Sequence, residues 1–222
     1  MEKVRLIDIK ESILSDNRDL AGQIRAELKR DKVFMLNIMA SPGAGKTSLI
    51  IETIRRLKEK YRFSVIEGDI ESQVDADLVA ATGVPAVQLR TGGACHLDAP
   101  MLKEALNILQ LKALDAVLVE NVGNLVCPAE FDLGENCKVV VLSVPEGDDK
   151  ALKYPLIFSV CDVLVISKTD YLAVADFNPS LLIDRVRRIN PAIRVFKTSS
   201  KTGEGFDQWS SWLSDQIKEA TV

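Results

Sequence analysis

The sequence predicts an α/β fold in which a mostly or wholly parallel central sheet carries helices on both faces, and three observations predict it. From residue 33 to the end, short apolar runs of strand length alternate with amphipathic stretches of helical period, the pattern of crossover connections and not of hairpins. The first apolar run passes through a small-residue turn, Ala40-Ser41-Pro42-Gly43-Ala44-Gly45, into Lys46-Thr47 and a helical stretch. The chemically distinctive motifs fall just after apolar runs, and ligands of such sheets bind at the carboxyl ends of the strands.

The elements follow in order. Ile9, Ile13, Leu20, Ile24 and Leu28 recur at helical spacing among charged residues, so residues 4–30 read as one or two amphipathic helices. Residues 1–31 are then a helical N-terminal extension packed on a domain of residues 32–222. Val33–Met39 is the first strand and Lys46–Lys60 the first helix of that domain. Phe63–Ile66 is a strand ending at Glu67-Gly68-Asp69, followed by a short helix over Asp75–Thr82. A strand over Pro85–Leu89 leads through Thr91-Gly92-Gly93-Ala94-Cys95-His96 into a helix over Leu97–Leu109. The fourth strand is Ala116–Val119. Lys138–Ser143 and Val163–Ser167 are strands with one helix, Asp148–Val160, between them. Pro179–Ile189 is a helix, Ile193–Lys197 the last strand and Gly205–Glu219 the closing helix. Phe206, Trp209 and Leu213 form an apolar stripe on that helix, which reads as core.

Composition narrows the function classes. The 222 residues are 47% hydrophobic, which excludes general disorder. No apolar run reaches the roughly 20 residues that span a bilayer, and Met1–Arg5 leads into a charged amphipathic stretch and not a signal peptide. A cytoplasmic location is the expectation, with no membrane partner. The four cysteines then read as thiols or metal ligands. A net charge of −4 gives no general attraction to nucleic acid.

The turn after the first strand suits a phosphate chain. Gly43 and Gly45 let successive N–H groups, with that of Ala44, point inward at an anion, and the helix opening at Lys46 brings its positive end to the same place. Lys46 can reach β- and γ-phosphates, the Thr47 hydroxyl can ligate Mg²⁺, and Ser48 continues the cradle. The pattern G-x-x-x-x-G-K-[ST] is met except at its first position, where Ala40 stands for Gly. The fold class is therefore that of a P-loop NTPase.

Ser167-Lys168-Thr169-Asp170 follows a strand and resembles the N-K-x-D guanine motif of G proteins, with Ser for Asn. A carboxylate at Asp170 can accept hydrogen bonds from guanine N1–H and N2–H₂, which adenine cannot supply; the other reading of Asp170 is a helix N-cap. The Lys168 stem can lie on the purine face. Ser199-Ser200-Lys201, after the last strand, resembles the S-A-K loop, where a backbone N–H meets guanine O6. Together the two loops favour GTP over ATP. Glu120-Asn121-Val122-Gly123 looks like the D-x-x-G switch with Glu for Asp: Glu120 would act on Mg²⁺ through water, and the Gly123 N–H would touch the γ-phosphate. Asp69 and Asp75 are further Mg²⁺ candidates, and the sequence does not decide which of them binds directly.

The one histidine, His96, adjoins Cys95, and Cys127 lies four residues past Gly123. Two thiols and an imidazole form a soft ligand set for nickel or zinc. Cys95 and His96 can converge from a loop and not from mid-helix. Spacing alone favours small loop residues over ligands at these positions. Cys137 and Cys161, among apolar neighbours, read as core.

The runs Glu67-Gly68-Asp69, Thr91 to Asp98 and Glu120 to Gly134 resemble the HypB family, GTPases that assist nickel delivery to [NiFe] hydrogenase. The resemblance implies a dimerising GTPase of the signal-recognition and nitrogenase-iron-protein type, with a slow intrinsic rate. It implies a nickel or zinc site from Cys95, His96 and Cys127 at a homodimer interface on the switch face, and so reverses the bland reading of those residues. A hydrogenase precursor and other maturation proteins are the partners it implies. Many bacterial members carry an N-terminal cysteine cluster or histidine-rich stretch; with no Cys before Cys95, the interface site is expected to serve alone. A GTPase serving another metalloenzyme such as urease or a cobalamin enzyme, a small-molecule kinase, and a metal-storage or structural-zinc protein whose nucleotide only stabilises the dimer are the rival readings.

Overall fold

The structure, a computed structural model, describes residues 9–69 and 78–221. Helix α1 (Ile9–Asp31) precedes β1 (Phe34–Ala40), α2 (Lys46–Leu57), β2 (Phe63–Asp69), β3 (Ala86–Arg90), α3 (Ala99–Ile108) and β4 (Ala116–Glu120). Next come β5 (Cys137–Ser143), the short helices α4 (Lys150–Lys153) and α5 (Pro155–Val160), β6 (Val163–Ser167), α6 (Pro179–Ile189), β7 (Arg194–Lys197) and α7 (Phe206–Thr221). Among the described residues the seven strands form one sheet in the order β3-β2-β4-β1-β5-β6-β7. Each pairing is parallel. All carboxyl ends therefore lie on one edge, and β1 sits in the middle between β4 and β5.

Every residue of β1 is buried, as a strand covered on both faces requires. Alternation sends Phe34, Leu36, Ile38 and Ala40 to the face covered by α2 and α7. There Trp209, Phe206 and Leu213 are fully buried, so the predicted stripe is core. Trp209 donates its indole N–H to Thr53 Oγ1 at 2.8 Å. Met35 and Met39 point the other way, into two separate apolar clusters. Asn37, also fully buried, lies on the same side of the strand between them.

Several boundaries differ from expectation. The first helix of the domain stops at Leu57, not Lys60, because the chain turns there and the Tyr61 hydroxyl reaches the Ser214 carbonyl at 3.0 Å. Strand β2 runs on through Glu67, Gly68 and Asp69, paired with β3 to its end. Helix α3 starts at Ala99 because the Asp98 side chain caps it, accepting the Met101 N–H at 2.9 Å. The helix expected over Asp148–Val160 is two helices. Tyr154 sits at φ −130°, ψ 58°, since the residue before a proline is pushed out of helical conformation and Pro155 has no N–H to continue the ladder. Of the short helix expected over Asp75–Thr82, residues 78–80 are helical, and its start lies outside the described residues.

Candidate functional site

Strand β1 delivers the chain to the phosphate-loop turn. Gly45 adopts φ 102°, a conformation costly for any residue with a Cβ. Ala40, which replaces the pattern's first Gly, is a strand residue and needs no such conformation. No side chain caps the first turn of α2 among the described residues, so its amides face the loop, as anion-binding helix starts do. Lys46 is buried, with Nζ 3.7 Å from Glu120 Oε1. Thr47 donates its hydroxyl to the same carboxylate oxygen at 3.0 Å. Ser48 is exposed at the rim of an adjoining cavity of 310 Å³.

The loop after β6 is tied to this turn. The Ser167 hydroxyl donates to the Ala44 carbonyl at 2.6 Å, and Lys168 Nζ donates to the Gly43 carbonyl at 2.7 Å. Ser167 thus braces the loop that the departure from Asn put in doubt. Asp170 lies inside the 3₁₀ turn Thr169–Tyr171, whose cap residue is Lys168, so the N-cap alternative fails. The Ser199 hydroxyl donates to Asp170 Oδ1 at 2.6 Å, and the Thr169 N–H to the Thr198 carbonyl at 3.2 Å. These bonds join the loop after β6 to the loop after β7. Ser200 and Lys201 are exposed on the turn that follows.

The switch loop leans on the phosphate loop. A Cβ at Gly123 would lie 2.9 Å from Pro42 Cγ and 3.1 Å from its Cα, so only glycine allows this approach. A cavity of 230 Å³ brings Lys46, Asp69, Glu120 and Gly123 together. The Thr47 hydroxyl and the Glu120 and Asp69 carboxylates are the hard oxygens that Mg²⁺ selects. Asp75 lies outside the described residues.

The sulfur cluster assembles as the topology suggests, because β4 lies two places from β3 at the same edge of the sheet. The Cys95 and Cys127 sulfurs are 2.8 Å apart, and Cys95 Sγ is 3.8 Å from His96 Nδ1. One donor atom from each of the three residues lies within 4.8 Å of the others. His96 stacks on Phe131 with centroids 3.8 Å apart. Burial lowers the His96 pKa, against the pull of Asp98 and Glu130, so the imidazole is neutral, as a metal ligand must be. The Cys127 thiol is pushed up, first by its hydrogen bond with Cys95 and then by burial. The set has three donors, and a closed tetrahedral site takes four. Cys137 and Cys161 are buried, and burial pushes both thiols up; they are core, as expected.

The family model for the CobW/HypB/UreG nucleotide-binding domain matches residues 34–197. A curated relative, the hydrogenase maturation factor HypB of Rhizobium leguminosarum bv. viciae, is 46% identical over 213 residues, 96% of this chain and 71% of the relative. The chain belongs to the HypB family. The crystal structure of HypB from Helicobacter pylori in complex with nickel superposes with a TM-score of 0.87 at 38% identity, over 92% of this chain and 96% of that one. The signal recognition particle receptor FtsY of Elizabethkingia anophelis matches with a TM-score of 0.55 at 14% identity, covering 88% and 68% of the two chains, and shares the fold.

In this HypB-family chain several residues near the site escaped the sequence analysis. Asn121 carries its side-chain oxygen to the N–H groups of Leu97 and Val122 at 3.1 and 2.9 Å. Asn17, on α1, accepts the Ala99 N–H at 2.7 Å and donates to the Asp132 carbonyl at 2.8 Å, clasping both sulfur-bearing loops to the first helix. Arg25 pairs with both Asp132 oxygens at 2.7 and 2.9 Å. A lone Asn inside the apolar strand Phe34–Ala40 was a signal for such a network; Phe131 left none.

Proposed function

We propose that this chain is a GTP-binding, slowly GTP-hydrolysing metallochaperone that carries nickel or zinc on Cys95, His96 and Cys127 and serves nickel insertion into a [NiFe] hydrogenase precursor. The observation that carries the reading is a juxtaposition. Three soft donor atoms lie within 4.8 Å of one another, and one of them, Cys127 Sγ, is on the loop that begins at Gly123, whose backbone rests on Pro42 of the phosphate loop. A nucleotide-driven shift of Gly123 therefore acts on a metal-holding loop.

In the reaction, water attacks the γ-phosphorus, the bond to the β–γ bridging oxygen breaks, and GDP, phosphate and one proton leave. Lys46 and the amides of Gly43 to Thr47 neutralise the developing charge. Lys168 and Asp170 hold the base, with Ser199 orienting the carboxylate and Ser200 and Lys201 closing the base side. Thr47, with Glu120 and Asp69 alongside, would hold Mg²⁺, which would supply charge neutralisation at the phosphates. Turnover without a supplied finger is roughly 10⁻²–10⁻⁴ s⁻¹. A second copy of the chain, meeting the first through the sulfur cluster and switch face, completes the ligand set. It works in the cytoplasm with the hydrogenase precursor and other maturation proteins as partners. No described helix is long and apolar enough to cross a membrane.

The test is nickel and zinc titration with GDP and with a non-hydrolysable GTP analogue, using Cys127→Ala as control. Affinities differing by about 5- to 150-fold between nucleotide states are expected. Equal affinities, or ATP binding as tight as GTP, would overturn the reading.

A further inference from the structure

We propose that Asn121 is the positioning residue through which the nucleotide state reaches the metal ligands, by a buried chain of side-chain hydrogen bonds. The inference rests on the function proposed above and names the device within it. Asn121 directly follows Glu120 and is 1% exposed. Its backbone N–H is anchored on the Ile38 carbonyl of β1 at 3.0 Å. Its single side-chain oxygen accepts two N–H groups. One belongs to Val122, the residue before Gly123 on the switch side, and the other to Leu97, the residue after His96 on the metal side.

The chain continues inward. The Asn121 amide donates to Asn37 Oδ1 at 3.2 Å, and the Asn37 amide donates to Glu135 Oε1 at 2.9 Å. Glu135 Oε2 accepts the Leu133 N–H at 2.8 Å, at the far end of the run that carries Cys127. Asn37 stands three residues before Ala40, on the strand that feeds the phosphate loop. The path thus begins beside His96, passes behind Glu120, touches the strand under Lys46 and ends on the second sulfur-bearing loop.

Two physical points argue that this chain does more than hold the fold. It lies between two apolar clusters, where hydrocarbon packing would be at least as stable as a polar network that must be satisfied at every member. And one oxygen serving two amides on opposite loops is sensitive to displacement. A shift of Val122 and Gly123 by about 1 Å takes one of the two bonds out of hydrogen-bond range, so Leu97, and His96 with it, must follow or be released.

The experiment uses the full chain with nickel and a chromogenic chelator, in GDP and in a non-hydrolysable GTP analogue, for wild type and the near-isosteric Asn121→Leu. The wild-type affinity ratio between the two states is expected to be about fivefold or more. In Asn121→Leu it is expected to fall to within twofold of unity, with nickel affinity in GDP changed less than threefold. A folded Asn121→Leu that keeps the wild-type ratio overturns this inference and leaves the proposed function standing. A wild type with equal affinities overturns both. Should Asn121→Leu not fold, amide exchange at Leu97 in the wild type decides: a tenfold change in rate between nucleotide states supports the inference, and an unchanged rate overturns it.

Discussion

The two ends of the site are built differently. On the β5–β6–β7 side the base and phosphate loops are tied to one another: Ser167 to Ala44, Lys168 to Gly43, Ser199 to Asp170. On the β3–β4 side the metal loops hold two thiols at 2.8 Å, half-buried, with three donors where four close a site. A site whose side chains already restrain one another changes little on binding and suits a ligand that must be selected. A site with three donors where four close it responds to its surroundings and suits a ligand that must be released. Under the proposed function, selectivity lies on one side of β1 and responsiveness on the other.

Four measurements break or sharpen that contrast. Lys46→Ala removes the positive charge that faces Glu120 from the phosphate loop, and should lower single-turnover phosphate release by about 10³-fold, with little change in the circular dichroism spectrum. Asp170→Asn presents an amide donor where guanine N1–H and N2–H₂ need acceptors. GTP affinity should fall a few hundredfold while xanthosine triphosphate, with an oxygen at C2, gains; calorimetry with both nucleotides checks it. Cys127→Ala should weaken nickel binding by about a hundredfold while GTP affinity moves less than threefold. A parallel loss of GTP affinity would mean that the two sides are one site.

The smallest effect tests the clasp that holds the metal side. Burial raises the Asp132 pKa, but the Arg25 guanidinium and the Gly134 N–H outweigh it and hold the carboxyl at about 2, below its ordinary value. The pair's stabilisation is therefore full above about pH 4 and lost as pH falls through about 2. Arg25 is half exposed, so the contribution is about 1 kcal/mol. Wild type and Arg25→Ala should differ in melting temperature at pH 6 and converge by pH 2. A difference that persists at pH 2 would point to packing of the Arg25 stem instead.

What was legible follows the range of the chemistry. The phosphate loop, Glu120 to Gly123 and Ser167 to Asp170 are local motifs, each a strand end with its loop, and period and spacing reveal them. The sulfur set needed two loops to meet, so spacing alone argued against it and the likeness of the surrounding runs argued for it. The network through Asn121 was invisible for a different reason. Asn37 signals itself as a polar residue in an apolar strand, but its partners Asn121 and Glu135 lie 84 and 98 residues away, and nothing local pairs them. The break at Tyr154 was readable from Pro155 and was overridden by the helical period on either side.

The strand order also has a consequence in time. On a ribosome the central strand and the phosphate loop are made first, yet both neighbours of β1 come much later, β4 ending at Glu120 and β5 at Ser143. At about 5–20 residues per second, the second flanking strand is complete roughly 5–20 s after Ala40. Until β4 is made the nascent chain carries an apolar strand with two unpaired edges, and one edge stays open until β5 is made, a template for mispairing. Translation speed across residues 40–143 should therefore govern the yield of folded protein more than speed across the last third of the chain.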